Sequence, residues 1–328
     1  MTKLRVGVLG LGSMGRHHVR NVRENDDVDL VAIADPNGDR FEVAQGMEVL
    51  SGVDEMIDAG INAAIVAVPT VYHHEAALKL AQAGVHTMVE KPLAASLEQG
   101  TEVVEAFEEA GLVGAVGYVE RCNPALLEMR RLLSENFLGE IYQISTRRQS
   151  PFPARISDVG VVKDLATHDV DLTAWVAGSP YKSVYAQTSY RSGREFEDMV
   201  TASARLENGV LVSHLVNWLT PFKDRMTIVT GERGALVADT AMSDLTFYEN
   251  GKFPLEWEQI AAFRGVSEGV VTRFALIKRE PLRVEHEHFF DAIQNGGSEH
   301  VSMREGLQTM RVVEAVLRSA ESGEAVQL

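Results

Sequence analysis

The chain has 328 residues, 45% hydrophobic and 24% charged, the balance of an ordinary folded protein of about two domains at roughly 150 residues each. Its 31 Lys and Arg against 47 Asp and Glu leave a formal net charge of −16, which repels phosphate backbones and anionic headgroups and excludes general nucleic-acid and membrane-surface binding. No apolar run approaches the ~18 residues needed to cross a bilayer, and Cys122, the single cysteine, excludes an intrachain disulfide. The short, glycine-rich apolar stretch at the N-terminus reads as a first strand, not a signal peptide, so a cytoplasmic location is expected.

In chain order, residues 4–10 read as a buried strand, about 13–25 as a helix, and 28–34 as a second strand ended by Asp35-Pro36. A strand at 62–68 ends at Pro69, a helix at 73–83 stops at Gly84, a strand follows at 85–89, a helix at 96–110, and 112–117 closes the series. Short strands alternating with helices indicate βαβ units and a parallel sheet. The pattern changes near residue 119. A helix at 123–135, a strand at 139–149 and a helix at 161–177 precede strands at 182–190, 198–206, 210–218, 224–230, 234–239 and 244–249. The pieces ENGV and YENGK are hairpin turn signals, so this half reads as a mostly antiparallel sheet. Helices near 284–295 and 303–322 end the chain. The expected organisation is therefore α/β, with domains 1–119 and 120–328, the C-terminal helices free to pack back on the first.

Three motifs carry chemistry. Gly10-x-Gly12-x-x-Gly15 joins a strand to a helix. Gly10 allows a tight turn, Gly12 lets a pyrophosphate approach, Gly15 lets the helix pack against the strand, and the helix N-terminus attracts the phosphates. Asp35, about 20 residues further on, would bond ribose hydroxyls and repel a 2′-phosphate, favouring NAD over NADP. The plain alternative is a glycine-rich turn with a turn-forming Asp-Pro. Glu90-Lys91-Pro92 follows a parallel strand, where ligands sit, although a surface lysine before a turn proline has the same letters. In Asp164-Leu-Ala-Thr-His168-Asp169, Asp164 and His168 share a helix face, as a general base and its carboxylate would, or as an ordinary polar pair. No metal is expected, since no third ligand stands at useful spacing, and His286-Glu-His288 reads as part of a partly exposed helix.

GLGSMG, AVPTVYHH, EKPLA and KDLATHDVDL, with a C-terminal pattern from HFFDAIQNGG to the end, together resemble the glucose–fructose oxidoreductase / inositol dehydrogenase / rhizopine-catabolism (Gfo/Idh/MocA) family over nearly the whole chain. The resemblance implies an N-terminal Rossmann domain, a C-terminal α/β domain with an open, mostly antiparallel sheet, and hydride transfer between NAD(P) and a sugar, cyclitol or related carbinol. It makes Lys91, Asp164 and His168 the catalytic group and implies a cis Pro92. It assigns the cofactor to Gly10, Gly12, Ser13, Met14, Gly15, Asp35, Val68, Pro69, Thr70, His73, Glu90 and Lys91, with loop support an equal role for His73. VERCNPA and the run SPFPARISDVGVVKDLATHDVDL resemble the branch containing UDP-N-acetylglucosamine 3-dehydrogenases, where phenylalanine often stands in place of Cys122. Arg121, Asn123, Asp164 and His168 are expected substrate contacts, and Arg155 joins them as a charge for a diphosphate.

Arg147, Arg148 and Arg155 form a basic cluster suited to a diphosphate, and Phe152 and Tyr142 could stack a uracil or sugar face. A solvated strand face and core aromatics are the ordinary readings of the same residues. His17 and His18 read as surface residues, and Trp218 as core or subunit interface. The expected partners are a sugar or nucleotide-sugar substrate and, by resemblance, a second copy or more in a homodimer or homotetramer. Inositol or free-sugar oxidation, aldose–aldose oxidoreduction with retained cofactor, and a non-catalytic NAD-binding regulator remain open alternatives.

Overall fold

A computed structural model describes residues 3–153, 159–251 and 268–328. The chain divides into two compact units, Met1–Val119 with Glu280–Arg311, and Glu120–Arg279 with Val312–Leu328.

The first unit is built on strands β1 Leu4–Leu9, β2 Val28–Ala34, β3 Val49–Leu50, β4 Ala63–Val66, β5 His86–Glu90 and β6 Gly114–Gly117. They form a six-stranded sheet in the order β3-β2-β1-β4-β5-β6, and every pairing is parallel. These strands are apolar because helices cover both faces. Val6, Val8, Ile65 and Met88 pack on one side with Val19 and Val22 of α1 Gly15–Arg23 and with Phe289 and Phe290 of the helix Pro281–Asn295. Ala64, Val66 and Val89 pack on the other with Leu80 of α3 His73–Gln82 and with Val104 and Phe107 of α4 Leu97–Glu109. Ser96 starts α4 by accepting the Gln99 N–H, as its Ser-x-x-Gln spacing dictates. β3 and α2 Val53–Asp58 lie in a stretch that the periodicity left unassigned, because elements this short carry too few apolar repeats.

The second unit holds a nine-stranded sheet. Its strands are β7 Ile141–Pro151, β8 Tyr181–Ser189, β9 Met199–Leu206, β10 Leu211–Asn217, β11 Leu219–Gly231, β12 Gly234–Asp239, β13 Asp244–Asn250, β14 Glu268–Arg273 and β15 Val326–Gln327, in the order β14-β13-β12-β11-β7-β10-β9-β8-β15. Pairing is antiparallel except between β10 and β7. A parallel pair needs a long crossover, and here the connection contains α6 Thr167–Ala177, β8 and β9. The ENGV piece is the β9–β10 turn; YENGK ends β13 and runs into residues outside those described. One sheet face is covered by α5 Pro124–Ser134, α6 and the later part of the last helix, through Leu126, Met129, Val170, Val176, Val312 and Val316. We number the two C-terminal helices α7 (Pro281–Asn295) and α8 (Met303–Ser322). No helix among the described residues is long and apolar enough to cross a membrane.

Candidate active site

In the first unit the carboxyl ends of β1, β2 and β4 open into a cleft of about 780 Å³. It lies where the strand order reverses between β1 and β4, the ligand position of open parallel sheets. Gly10, Gly12, Ser13, Asp35, Val68 and Pro69 line it. Gly10 has a positive φ of 93°, and a Cβ there would stand 2.6 Å from the Ala67 carbonyl oxygen. A Cβ on Gly15 would overlap the Gly10 carbonyl oxygen. A Cβ on Gly12 would meet nothing within 4 Å, so that backbone is bare toward open space. This cradle fits the pyrophosphate of a dinucleotide. Asp35 ends β2, where one carboxylate oxygen accepts the Leu11 N–H and the other the Asn37 N–H, both at 2.8 Å. The turn is thereby fixed with the carboxylate at the cleft.

Met14 is the N-cap of α1 and Thr70 opens a short helical turn. His73 is 1% exposed, its Nδ1 2.9 Å from the Pro92 carbonyl and its Nε2 2.9 Å from the Val68 carbonyl. It braces the loops after β4 and β5. Burial holds its pKa below the usual histidine range against the pull of those carbonyls. Lys91 stands at the end of β5, and the Lys91–Pro92 peptide is cis, as the resemblance implies. Tyr72, Lys79, Asp54, Arg40 and Phe41 also line the cleft. Sequence reasoning missed them: Asp54 of α2, Arg40 and Phe41 carry no motif, and Tyr72 within the AVPTVYHH motif and Lys79 after it were not read as lining.

Two histidine expectations are corrected. His18 is wholly buried, not on the surface, and bonds Glu90 and His286; His17 is half-buried. His286 is itself buried, on a helix that is partly exposed as expected. The signal was present: Gly15, His18, Val19 and Val22 fall on one helical face.

In the second unit, Asp164 lies in a π-helical turn, Val162–Ala166, that runs directly into α6. The Thr167 N–H bonds the Val162 carbonyl, five residues back. A π-turn still leaves Asp164 and His168 on roughly one side, and such turns recur at functional sites. Asp164 is buried and His168 half-buried. Glu197 secures the start of the turn by accepting the Val162 N–H at 3.0 Å.

The other expected substrate contacts carry internal bonds. Arg121 forms a bidentate pair with Asp171 at 2.7 and 2.8 Å. Asn123 caps α5 through the Ala125 N–H and donates to the Thr240 carbonyl at 2.9 Å. The basic cluster divides: Arg147 faces outward and pairs with Asp224, while Arg148 faces inward, 3% exposed, between Asp169 at 2.8 Å and Glu120 at 2.9 Å. Burial opposes ionisation of Glu120, but Arg148 and Arg225 outweigh it and hold its carboxyl below the usual range. Burial pushes the Asp169 carboxyl above that range despite Arg148. Phe152 lies beneath the Arg194 guanidinium and edge-on to Trp218, which is core; Tyr142 is exposed. Arg155 lies outside the described residues.

Residues 4–118 match a family described as an oxidoreductase family with an NAD-binding Rossmann fold, and residues 126–237 match the GFO/IDH/MocA C-terminal domain. The chain belongs to the Gfo/Idh/MocA family. As a member it is an oxidoreductase whose N-terminal domain is an NAD-binding Rossmann fold. Among similar proteins, UDP-N-acetylglucosamine 3-dehydrogenase of Acidithiobacillus ferrooxidans is 29% identical over 99% of both chains. Its solved structure superimposes with a TM-score of 0.85 at 25% identity, covering 98% of this chain and 99% of that one. Inositol 2-dehydrogenase 2 of Saccharopolyspora erythraea is also 29% identical, over 98% of this chain and 94% of its own. A solved structure of the WlbA dehydrogenase of Bordetella pertussis, in complex with NADH and UDP-GlcNAcA, gives a TM-score of 0.80 at 25% identity, over 100% and 99% of the two chains. This Gfo/Idh/MocA member is, like them, a dehydrogenase.

Proposed function

We propose that the protein oxidises a secondary hydroxyl of a pyranose ring with NAD, and that the pyranose belongs to a nucleotide sugar such as UDP-N-acetylglucosamine, at its 3-hydroxyl. The observation that carries the reading is the placement of Lys91 at the carboxyl end of β5, in the same sheet as the Gly12 cradle, together with Asp164 and His168 on one π/α segment. The 29% identity to a UDP-N-acetylglucosamine 3-dehydrogenase over 99% of both chains supports the substrate class.

NAD, when bound, accepts the hydride. Gly12 and the N-terminus of α1 hold the pyrophosphate, and Asp35 receives the adenosine ribose hydroxyls and disfavours a 2′-phosphate. His168 takes the hydroxyl proton. Lys91 stabilises the negative charge that develops on the same oxygen. Asp164 orients the substrate or tunes His168. Replacing Lys91 with alanine should lower kcat by roughly 100-fold or more with little change in NAD affinity; an unchanged kcat would remove Lys91 from this role. The product test is direct. UDP-N-acetylglucosamine incubated with NAD should lose two hydrogens by mass, and borodeuteride should place the label at the sugar 3-carbon.

Inositol oxidation is the second reading, supported by the equal identity to an inositol 2-dehydrogenase. It predicts an oxidised inositol and an untouched nucleotide sugar in the same incubation. We also place a homodimer or homotetramer on the open face of the nine-stranded sheet, where Tyr185, Leu211, Leu215 and Ile228 point away from the helices. Sedimentation velocity finding only monomer would contradict that assembly.

A further inference from the structure

Glu90 ends β5 and immediately precedes Lys91. Its Oε2 accepts the Lys91 backbone N–H at 3.1 Å, and its Oε1 lies 2.9 Å from His18 Nε2. The other ring nitrogen of His18, Nδ1, lies 2.8 Å from His286 Nε2. The two rings stack with centroids 5.1 Å and planes 13° apart, and Phe290 packs edge-on against His286. An unbroken hydrogen-bonded line thus runs from α7 through α1 to the residue beside Lys91, inside an otherwise apolar interior.

The direction of its donors follows from the bonding. Burial pushes the His286 imidazole well below its ordinary range, so this ring is neutral and carries one proton. Its Nδ1 is buried and has no partner among the described residues. A buried N–H without an acceptor is the costlier defect, compared with a bare lone pair. The proton therefore sits on His286 Nε2 and is donated to His18 Nδ1. That makes His18 Nδ1 an acceptor, places its proton on Nε2, and aims Nε2–H at Glu90. Burial opposes ionisation of Glu90, but the His18 bond, the Lys91 charge and the Lys91 N–H outweigh it and hold the carboxyl below the usual range. Every donor points toward the carboxylate.

We propose that His286, His18 and Glu90 are positioning residues for Lys91: a one-directional hydrogen-bond chain that fixes the Glu90 carboxylate against the Lys91 main chain at the end of β5. The inference rests on the reading of Lys91 as the group that stabilises the substrate oxygen. A carboxylate locked by donors need not reorganise when charge develops on the substrate, and the main chain it anchors is held with it.

Nitrogen-15 histidine NMR of the intact chain near neutral pH tests the chain without needing turnover. Both His18 and His286 should be Nε2–H tautomers; a doubly protonated His18, or an Nδ1–H His286, overturns the proposed direction. Kinetics test the role. Glu90→Gln should lower kcat roughly 10- to 100-fold, with the NAD dissociation constant held within about threefold. His18→Leu should do the same, whereas His18→Gln, whose amide N–H can reach the same carboxylate, should recover most of the rate. Equal losses in the two His18 variants would mean that the ring only fills space, and an unchanged kcat in Glu90→Gln would end the proposal. If Glu90→Gln does not fold, the His18 pair carries the comparison. If the wild-type enzyme turns over no sugar, the substrate reading fails on its own, and the nitrogen-15 tautomers of His18 and His286 still decide whether the chain runs as proposed.

Discussion

Gly12 and Gly15 occupy one turn and are glycines for opposite reasons. A methyl on Gly12 enters open space, while a methyl on Gly15 overlaps the Gly10 carbonyl. Gly12→Ala should therefore keep its melting temperature and lose NAD affinity by about tenfold or more, through lost approach to the phosphates. Gly15→Ala should lose stability outright, by about 2 kcal/mol, because the backbone has to shift. Calorimetry and NAD titration of the pair separate the two roles, and equal Tm losses would mean that Gly12 is structural as well. These roles were legible because the spacing itself encodes the turn. The burial of His18 was not read, although its helical face carried it, because histidine chemistry argued for water while packing with Val19 and Val22 decided the matter.

At the scale of elements, strand β7 sends Arg147 to the open face and Arg148 into a buried network with Asp169 and Glu120. Removing the cation leaves buried Asp169 without its ion pair and leaves Glu120 with Arg225 as its ion-pair partner, at 3.2 Å. Arg148→Met should cost about 3–5 kcal/mol, and Arg148→Lys should recover little, since a single ammonium cannot replace the planar fork. Urea unfolding checks both; a loss below about 1 kcal/mol would show that the network relaxes without it. The sequence located β7 but not which arginine turns inward, because Thr146 and Gln149 on either side are both polar and give no alternation to read.

Beside the same strand, on β10, His214 lies between Thr146 Oγ1 at 2.7 Å and the Tyr181 hydroxyl at 2.8 Å. Burial lowers its pKa to about 4 from 6.5. The fold thus favours the neutral ring. Its contribution is full above pH 6.5 and is lost as pH falls from there toward 4, up to about 3 kcal/mol. The decline in stability between pH 7 and 4.5 should be shallower in His214→Gln than in the parent, and identical slopes would contradict the assignment. The turn holding Asp164 was expected as α-helix and is a π-turn. Nothing in its residue types distinguishes the two, since the extra residue per turn is settled by packing and by Glu197 at its start.

At the scale of the whole molecule, alternating strand and helix periodicity made every strand of the parallel sheet but β3 readable to within two residues. The mixed sheet was readable only as a set of strands, because order and direction depend on which distant edges meet. The placement of β10 parallel to β7 is one such pairing. The proposed cradle and the proposed acid–base segment were read from motifs; the sugar could not be, since relatives named for a nucleotide sugar and for an inositol stand at the same 29% identity. The decisive measurement is absorbance at 340 nm with NAD and, in parallel, UDP-N-acetylglucosamine, UDP-N-acetylglucosaminuronate, myo-inositol and glucose. The account predicts NADH formation with a UDP-sugar and far less with the others. NADH formation with inositol or glucose and none with either UDP-sugar would contradict it.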